Sequence, residues 1–328
     1  MREHDSATAV LRNSGSSGTV FAGLGVLAFS FTFPATDWAL DGGHGLGPWT
    51  VTGVRGVLAA LIALACLRAG RVPVPARRHW RGLFAVALGC VVSFPLLSTL
   101  ALQTSSSAHS AVVIGLLPLA TAAASAGLNR TRLSPWFWAA ALAGALVVVV
   151  FALGQNHGRP TTADLFLLGA LLVCSLGYAE GGRLAREMPG WQVIGWAAVA
   201  ALPVTAVTAG AGLAAEPVRL TAHAVTGLAY LSAVSQFGGF VVWYRGMAAI
   251  GVPRASQLQL AQPSLTLLWS VLLLGEHLPV SAPVAAALVL ACIATTQRVG
   301  RGGTAGRVGG GDRVSTGGPA MSHRGRPD

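Results

Sequence analysis

Residues 118–141, PLATAAASAGLNRTRLSPWFWAAA, fall on residues 263–286, PSLTLLWSVLLLGEHLPVSAPVAA, when the chain is slid against itself by 145 positions. Pro118 meets Pro263, Thr121 meets Thr266 and Ser125 meets Ser270. Leu128, Leu133, Ala140 and Ala141 meet Leu273, Leu278, Ala285 and Ala286, which makes seven identities in 24 positions without a gap. Matches of Ala and Leu arise readily between apolar segments, but the proline and hydroxyl matches do not. Upstream, Ser30 meets Ser175 at the same offset. The chain therefore reads as two related halves.

The rest of the sequence says what kind of halves these are. Of 328 residues, 53% are hydrophobic and only 10% charged, against a charged share of about 25% in a soluble domain. The apolar residues gather into ten stretches of roughly 20 residues, each long enough to cross a hydrocarbon core as a helix. The first five run from Gly18 to Ala39, Pro48 to Leu67, Trp80 to Leu102, Ser107 to Leu128 and Pro135 to Leu153. The second five run from Asp164 to Leu184, Trp191 to Leu213, Val225 to Ile250, Pro253 to Gly275 and Pro279 to Thr296. A soluble enzyme, a secreted disulfide scaffold and a disordered chain are excluded, and the expected fold is an all-α membrane protein of ten transmembrane helices. Residues 1–17 are polar and lack the layout of a cleaved signal. The tail from residue 299 is rich in Gly and Arg, and both ends are expected to be disordered. The repeats are expected over residues 18–154 and 155–298.

The net charge of +11 comes with no lysine at all. The arginines lie between apolar segments and in the tail rather than along one face, which argues against nucleic acid. With the N-terminus in the cytoplasm and ten crossings, nineteen arginines fall on the cytoplasmic side and only Arg159 and Arg219 on the outer side, as the positive-inside rule requires. Both termini are thus expected in the cytoplasm of a multi-pass inner (plasma) membrane protein. An odd number of helices per half makes the second half enter from the opposite side, and inverted repeats of this kind build secondary transporters with the site near the midplane.

The stretch from Leu97 through Pro118 to Val150, which opens LSTLALQTSSSAHSAVVIGLLPLATAAASAG, and the stretch from Val241 to Leu290 carry further marks. These are the aromatic pair Trp243 and Tyr244, Gln262 before Pro263, the run ending at Glu276, and Arg55 within Gly53-Val54-Arg55-Gly56. On these residues the chain resembles the EamA branch of the drug/metabolite transporter superfamily over about residues 18 to 298. Thr131 stands where Glu276 stands in the second half, a departure from the pattern. The resemblance implies export of small organic solutes, whether amino acids, other metabolites or drugs, by alternating access. A non-transporting sensor or scaffold, or a membrane-embedded enzyme of the same topology, is the alternative. No Walker, HExxH or GxSxG motif is present, so no enzyme activity and no cofactor are expected. The expected partners are a small-molecule substrate and the lipid bilayer, with protons as a candidate coupling ion.

Candidate site residues follow from depth. An uncharged amide in hydrocarbon needs a partner, and a cavity supplies one. Gln259 and Gln262 share a face of the ninth helix, Gln236 lies at similar depth on the eighth, and Ser30, Phe33, Ser93 and Tyr178 complete the substrate-binding set. The alternative for the amides is that they only hold helices together. Four titratable groups are candidates for gating or coupling. Arg55 lies roughly 10 Å below the outer end of its helix; it pairs with Asp37, snorkels to the interface, or binds a carboxylate. Glu180 either titrates or pairs with Arg183 at i,i+3, and His109 sits near the start of the fourth helix. Glu276 reads as structural, at the turn into the last helix. Trp243 and Tyr244 read as an aromatic belt, Gly177 and Gly181 as a close helix contact, and the isolated Cys66, Cys90, Cys174 and Cys292 as packing residues rather than a metal site.

Overall fold

The computed structural model of the chain describes residues 17–130, 132–155, 159–250, 255 and 258–292. The expectations of disorder at both ends, and the readings of Thr131 and of Arg298 onward, lie outside the described residues. No strand occurs among the described residues. Among the described residues eight helices are long and apolar enough to cross a membrane: α1 (Ser17–Gly43), α2 (Pro48–Ala69), α3 (Arg77–Ala101), α4 (Ser107–Leu128), α5 (Pro135–Gln155), α6 (Thr162–Leu184), α7 (Gly190–Ala215) and α8 (Ala222–Ile250). Two shorter apolar helices follow, α9 (Ala261–Leu274) and α10 (Ser281–Cys292).

The sequence starts these helices in recognisable ways. Pro48 opens α2, where a missing N–H costs nothing. Thr161 and Asp164 form a reciprocal capping box at the start of α6, and Thr221 accepts from the Ala224 amide ahead of α8. The repeat offset carries over to the elements: Ser17 and Thr162 begin α1 and α6, and Arg77 and Ala222 begin α3 and α8, each pair 145 positions apart. Burial is inside out relative to a soluble protein. Leu142 and Val207 are 70% and 73% exposed, whereas Ser30, Thr32, Ser235 and Gln236 are buried. A bundle with an apolar exterior and hydroxyls and amides inside is what a lipid solvent selects.

The halves are interleaved rather than side by side. α2 packs along its repeat mate α7, with Gly53 facing Ala209, Gly56 facing Thr205 and Gly212 facing Thr50. As one index rises the other falls, so these equivalent helices run antiparallel. α6 lies against α3 through Gly177 on Gly89 and Gly82 on Leu184, and α1 lies against α8 through Gly25 on Trp243 and Gly246 on Ala22. The first helix of each half therefore packs on the third helix of the other. Small residues at the crossings let the backbones approach closely, and Gly177 does this as the spacing predicts.

Two segments depart from the α-helix. Residues Ala87–Ser93 of α3 and Tyr230–Gly238 of α8 are wound as π-helix. They cover equivalent positions of the two repeats, and π-helical turns gather at functional sites.

Candidate functional site

The π segments meet in the middle of the bundle. There the Gln236 amide Nε2 donates to the Cys90 carbonyl at 3.1 Å, and Thr32 and Ser235 share a hydroxyl hydrogen bond of 2.9 Å. Beside them lies a cavity of about 30 Å³ whose polar lining includes Arg55, Thr32, Ser235, Gln236, Tyr178 and Gln262. Its apolar walls are Phe29, Phe33, Phe94, Phe240 and Leu117. A smaller cavity of about 10 Å³ adjoins it across Phe33, Leu117 and Gln262, and Gln259, Pro118 and Pro263 line its far side. Together they have room for a few waters and not for an organic solute. Of the substrate-binding candidates, Phe33, Tyr178, Gln236, Gln259 and Gln262 line these two spaces.

Ser30 and Ser93 do not. Ser30 is fully buried and joins α1 to α9: its Oγ donates to the Leu27 carbonyl at 2.8 Å and accepts from Trp269 Nε1 at 3.0 Å, while its carbonyl accepts from Thr266 Oγ1 at 2.7 Å. Its repeat mate Ser175 makes the same bond to the Leu172 carbonyl. Ser93 ends the π segment of α3 outside both cavity walls.

Arg55 departs from its expected pairing. No salt bridge joins it to Asp37 among the described residues, and at 2% exposure it does not reach the interface either. Its Nη2 makes a long 3.5 Å contact to Ser235 Oγ, and among the described residues Nε and Nη1 have no hydrogen-bond partner. The reason is direction. Arg55 lies on the buried face of α2 and extends toward the π segment of α8, whereas Asp37, near the end of α1, lies within electrostatic reach of Asp41 and Glu276.

The other titratable candidates occupy the two ends of the bundle. Where α4 and α6 begin, His109 Nε2 and Asp164 Oδ1 lie 2.7 Å apart, with the imidazole stacked on Phe151. At the same end Glu276 accepts from the amides of Ser107 and Ala108 at 2.9 and 3.1 Å, and Glu216 accepts from those of Trp49 and Thr50 at 3.1 and 2.9 Å. Each is a carboxylate from the second half placed on a helix N-terminus of the first, where the free amides and the helix dipole favour negative charge. Glu276 thus closes α4 rather than only turning the chain into α10. Gly275, at φ +65°, provides the left-handed turn that aims it. At the opposite end Glu180 pairs with Arg183 at 2.9 Å, Arg183 with Glu187 at 2.9 Å, and Glu187 with His79 at 3.0 Å.

Two sequence readings are corrected. Trp243 and Tyr244 are 2% and 1% exposed and form no lipid-facing belt; the small residues Gly25, Gly181 and Gly190 admit them into the bundle. Cys90 and Cys174 are buried as expected, but they also line the larger cavity. Thr32, Ser235, Glu216 and the Asp164 partner of His109 escaped the sequence reading. The repeat held one signal for Ser235, which is the equivalent of Cys90. Among the described residues no group of three or more His, Cys, Asp or Glu is placed to hold a metal.

Comparison with known proteins places this geometry. The model of the EamA-like transporter family matches residues 16–153 and again 161–296. The uncharacterized transporter YdeK of Bacillus subtilis (strain 168) is 38% identical over 286 residues, covering 87% of this chain and 99% of its own. A solved crystal structure 21% identical covers 87% of this chain and 98% of its own at a TM-score of 0.61, a likeness of fold.

Proposed function

The chain belongs to the EamA-like transporter family, and from that premise we propose that it exports small organic metabolites by alternating access of two five-helix repeats. It is a multi-pass membrane transporter of a small molecule rather than an enzyme. The repeats occupy residues 18–154 and 155–298 and comprise ten transmembrane helices. Both termini face the cytoplasm, and the membrane is the inner (plasma) membrane. The arginine distribution supports that orientation, and the antiparallel contact of α2 with α7 supports the inversion of the halves.

The observation that carries the reading is the polar cavity enclosed between the interleaved halves, with Gln236 and Gln262 on its wall and an ion-paired or capped layer at each end of the bundle. Its small volume fits a closed intermediate, from which parting of one layer or the other would open a path to one side. Export is driven by the substrate's own gradient or by protons.

The test is counterflow. Purified protein in liposomes is loaded with unlabelled amino acids or polar metabolites and exposed to trace labelled solute, with empty liposomes as control. Accumulation of one solute, lost or altered in Gln262→Ala at normal membrane yield, is the expected result. No accumulation of any solute by folded protein refutes the transport reading, and unchanged kinetics in Gln262→Ala removes that side chain from the site.

A further inference from the structure

We infer that the substrate group bound in the central cavity is an anion, specifically the carboxylate of a small acid with an aromatic or branched apolar body, and that Arg55 holds it. The inference rests on the transport reading above and adds to it the chemical class of the solute.

Arg55 is 2% exposed, its guanidinium faces the cavity, and its only polar contact among the described residues, to Ser235 Oγ, is long. Nε and Nη1 have no partner among the described residues. Among the described residues no Asp or Glu lines either cavity. A guanidinium cannot shed its charge as a buried lysine can, so among the described residues Arg55 is a buried cation without a counter-charge. Such residues mark substrate or ion pathways. Among the described residues Gln259 Nε2 in the adjoining space is a further amide donor with no partner, against one unpartnered acceptor, Gln236 Oε1, so the unpartnered groups on the walls are mostly donors. A planar fork of N–H groups matches a carboxylate bidentately. The remaining walls, Phe29, Phe33, Phe94, Phe240 and the Tyr178 ring, suit an apolar body.

A structural arginine and a ligand-binding arginine behave oppositely when removed. An unpaired buried charge destabilises the fold, so Arg55→Gln should raise the unfolding temperature of the ligand-free protein while weakening acid binding by about tenfold to a hundredfold, the worth of a charge-assisted hydrogen bond. The experiment uses the full chain in nanodiscs and follows unfolding by intrinsic fluorescence. The probes are phenylacetate against phenylacetamide and L-phenylalanine against L-phenylalaninamide, with phenyl phosphate to separate carboxylate from phosphate recognition. Arg55→Lys serves as the conservative variant.

Stabilisation by an acid and not by its amide, lost in Arg55→Gln and partly kept in Arg55→Lys, is the expected result. Equal effects of acids and amides, a shift by phenyl phosphate alone, no shift by any acid, or a ligand-free Arg55→Gln protein that unfolds earlier than wild type would each overturn the inference. Counterflow of a neutral solute undiminished in Arg55→Gln would overturn it and leave the transport reading standing. Acid binding without counterflow of any solute would do the reverse.

Discussion

Replacing Gly212 by Ala sets a methyl group against the backbone of α2, where the halves cross. The new Cβ would meet Thr50 N at 2.5 Å, Thr50 Oγ1 at 2.7 Å and Thr50 Cα at 2.9 Å, while ordinary Cβ contact begins at 3.4 Å, so α2 must retreat by about 0.9 Å. It cannot do so freely. The Thr50 amide and hydroxyl donate to Glu216 Oε2 at 2.9 and 2.8 Å, and Glu216 follows directly on α7. Overpacking costs about 1–3 kcal/mol; a contact with a pinned backbone belongs at the upper end, about 3 kcal/mol. Alanine returns about 0.5–1 kcal/mol of helix preference, which leaves a net loss of about 2 kcal/mol. Gly210, two residues earlier on the exposed side of α7, has nothing within 4 Å of its Cβ position, so Gly210→Ala keeps only the gain. The two variants differ by about 3 kcal/mol, or roughly 6 °C in unfolding temperature, read by fluorescence in nanodiscs. Equal unfolding temperatures, or a Gly212→Ala protein more stable than wild type, would refute the antiparallel seam between α2 and α7.

Three further expectations follow from the ends and walls of the bundle. Glu276→Gln exchanges a charged cap for a neutral one on the Ser107 and Ala108 amides and should cost about 1 kcal/mol, with faster hydrogen exchange at those two amides; unchanged exchange there would show that the carboxylate does not hold α4. Glu180→Gln should lower stability by less than about 1 kcal/mol and leave any dependence of transport on a pH gradient intact, because Glu180 is paired with Arg183 away from the cavity; loss of that dependence in counterflow would make Glu180 the coupling group. In a Cys66→Ala, Cys292→Ala background, N-ethylmaleimide should inactivate transport by alkylating Cys90 or Cys174, and a further Cys90→Ala, Cys174→Ala protein should be resistant. Inactivation that persists in the last protein would remove the cysteines from the path.

Much of this architecture was legible because it rests on patterns that hydrocarbon enforces. Among the described residues apolar length located eight helices long enough to cross a membrane, against the ten expected, and the matches of Pro118 with Pro263 and Thr121 with Thr266 located the repeat. Partners were harder to read. Nothing in the sequence says that Glu276 turns back onto α4, 169 positions from Ser107, or that His109 meets Asp164 across 55 positions. Helical periodicity orders residues on one element and carries no information about which element faces it. Asp37 and Arg55 show the same gap: chain proximity suggested a pair, but the two groups lie on faces that diverge.

The repeat nonetheless explains the shape of the site better than either half alone. Its backbone devices are duplicated: the π segments of α3 and α8, the prolines 118 and 263, and the i–3 hydroxyl bonds of Ser30 and Ser175. Its cavity side chains are not. At the same offset Gln236 corresponds to Val91, Gln259 to Ile114, Gln262 to Leu117, Tyr178 to Phe33 and Arg55 to Ala200. Most amides and hydroxyls on the wall come from the second half, while the cation comes from the first. A two-fold scaffold with a two-fold lining would accept a solute in either of two orientations. On the transport reading proposed above, the duplicated backbone would preserve two similar ways of opening, and the diverged lining would distinguish one end of a solute from the other. If the proposed acid binds there, that division favours a single orientation, with its charged end at Arg55 and the rest of the molecule against the aromatic and amide groups opposite.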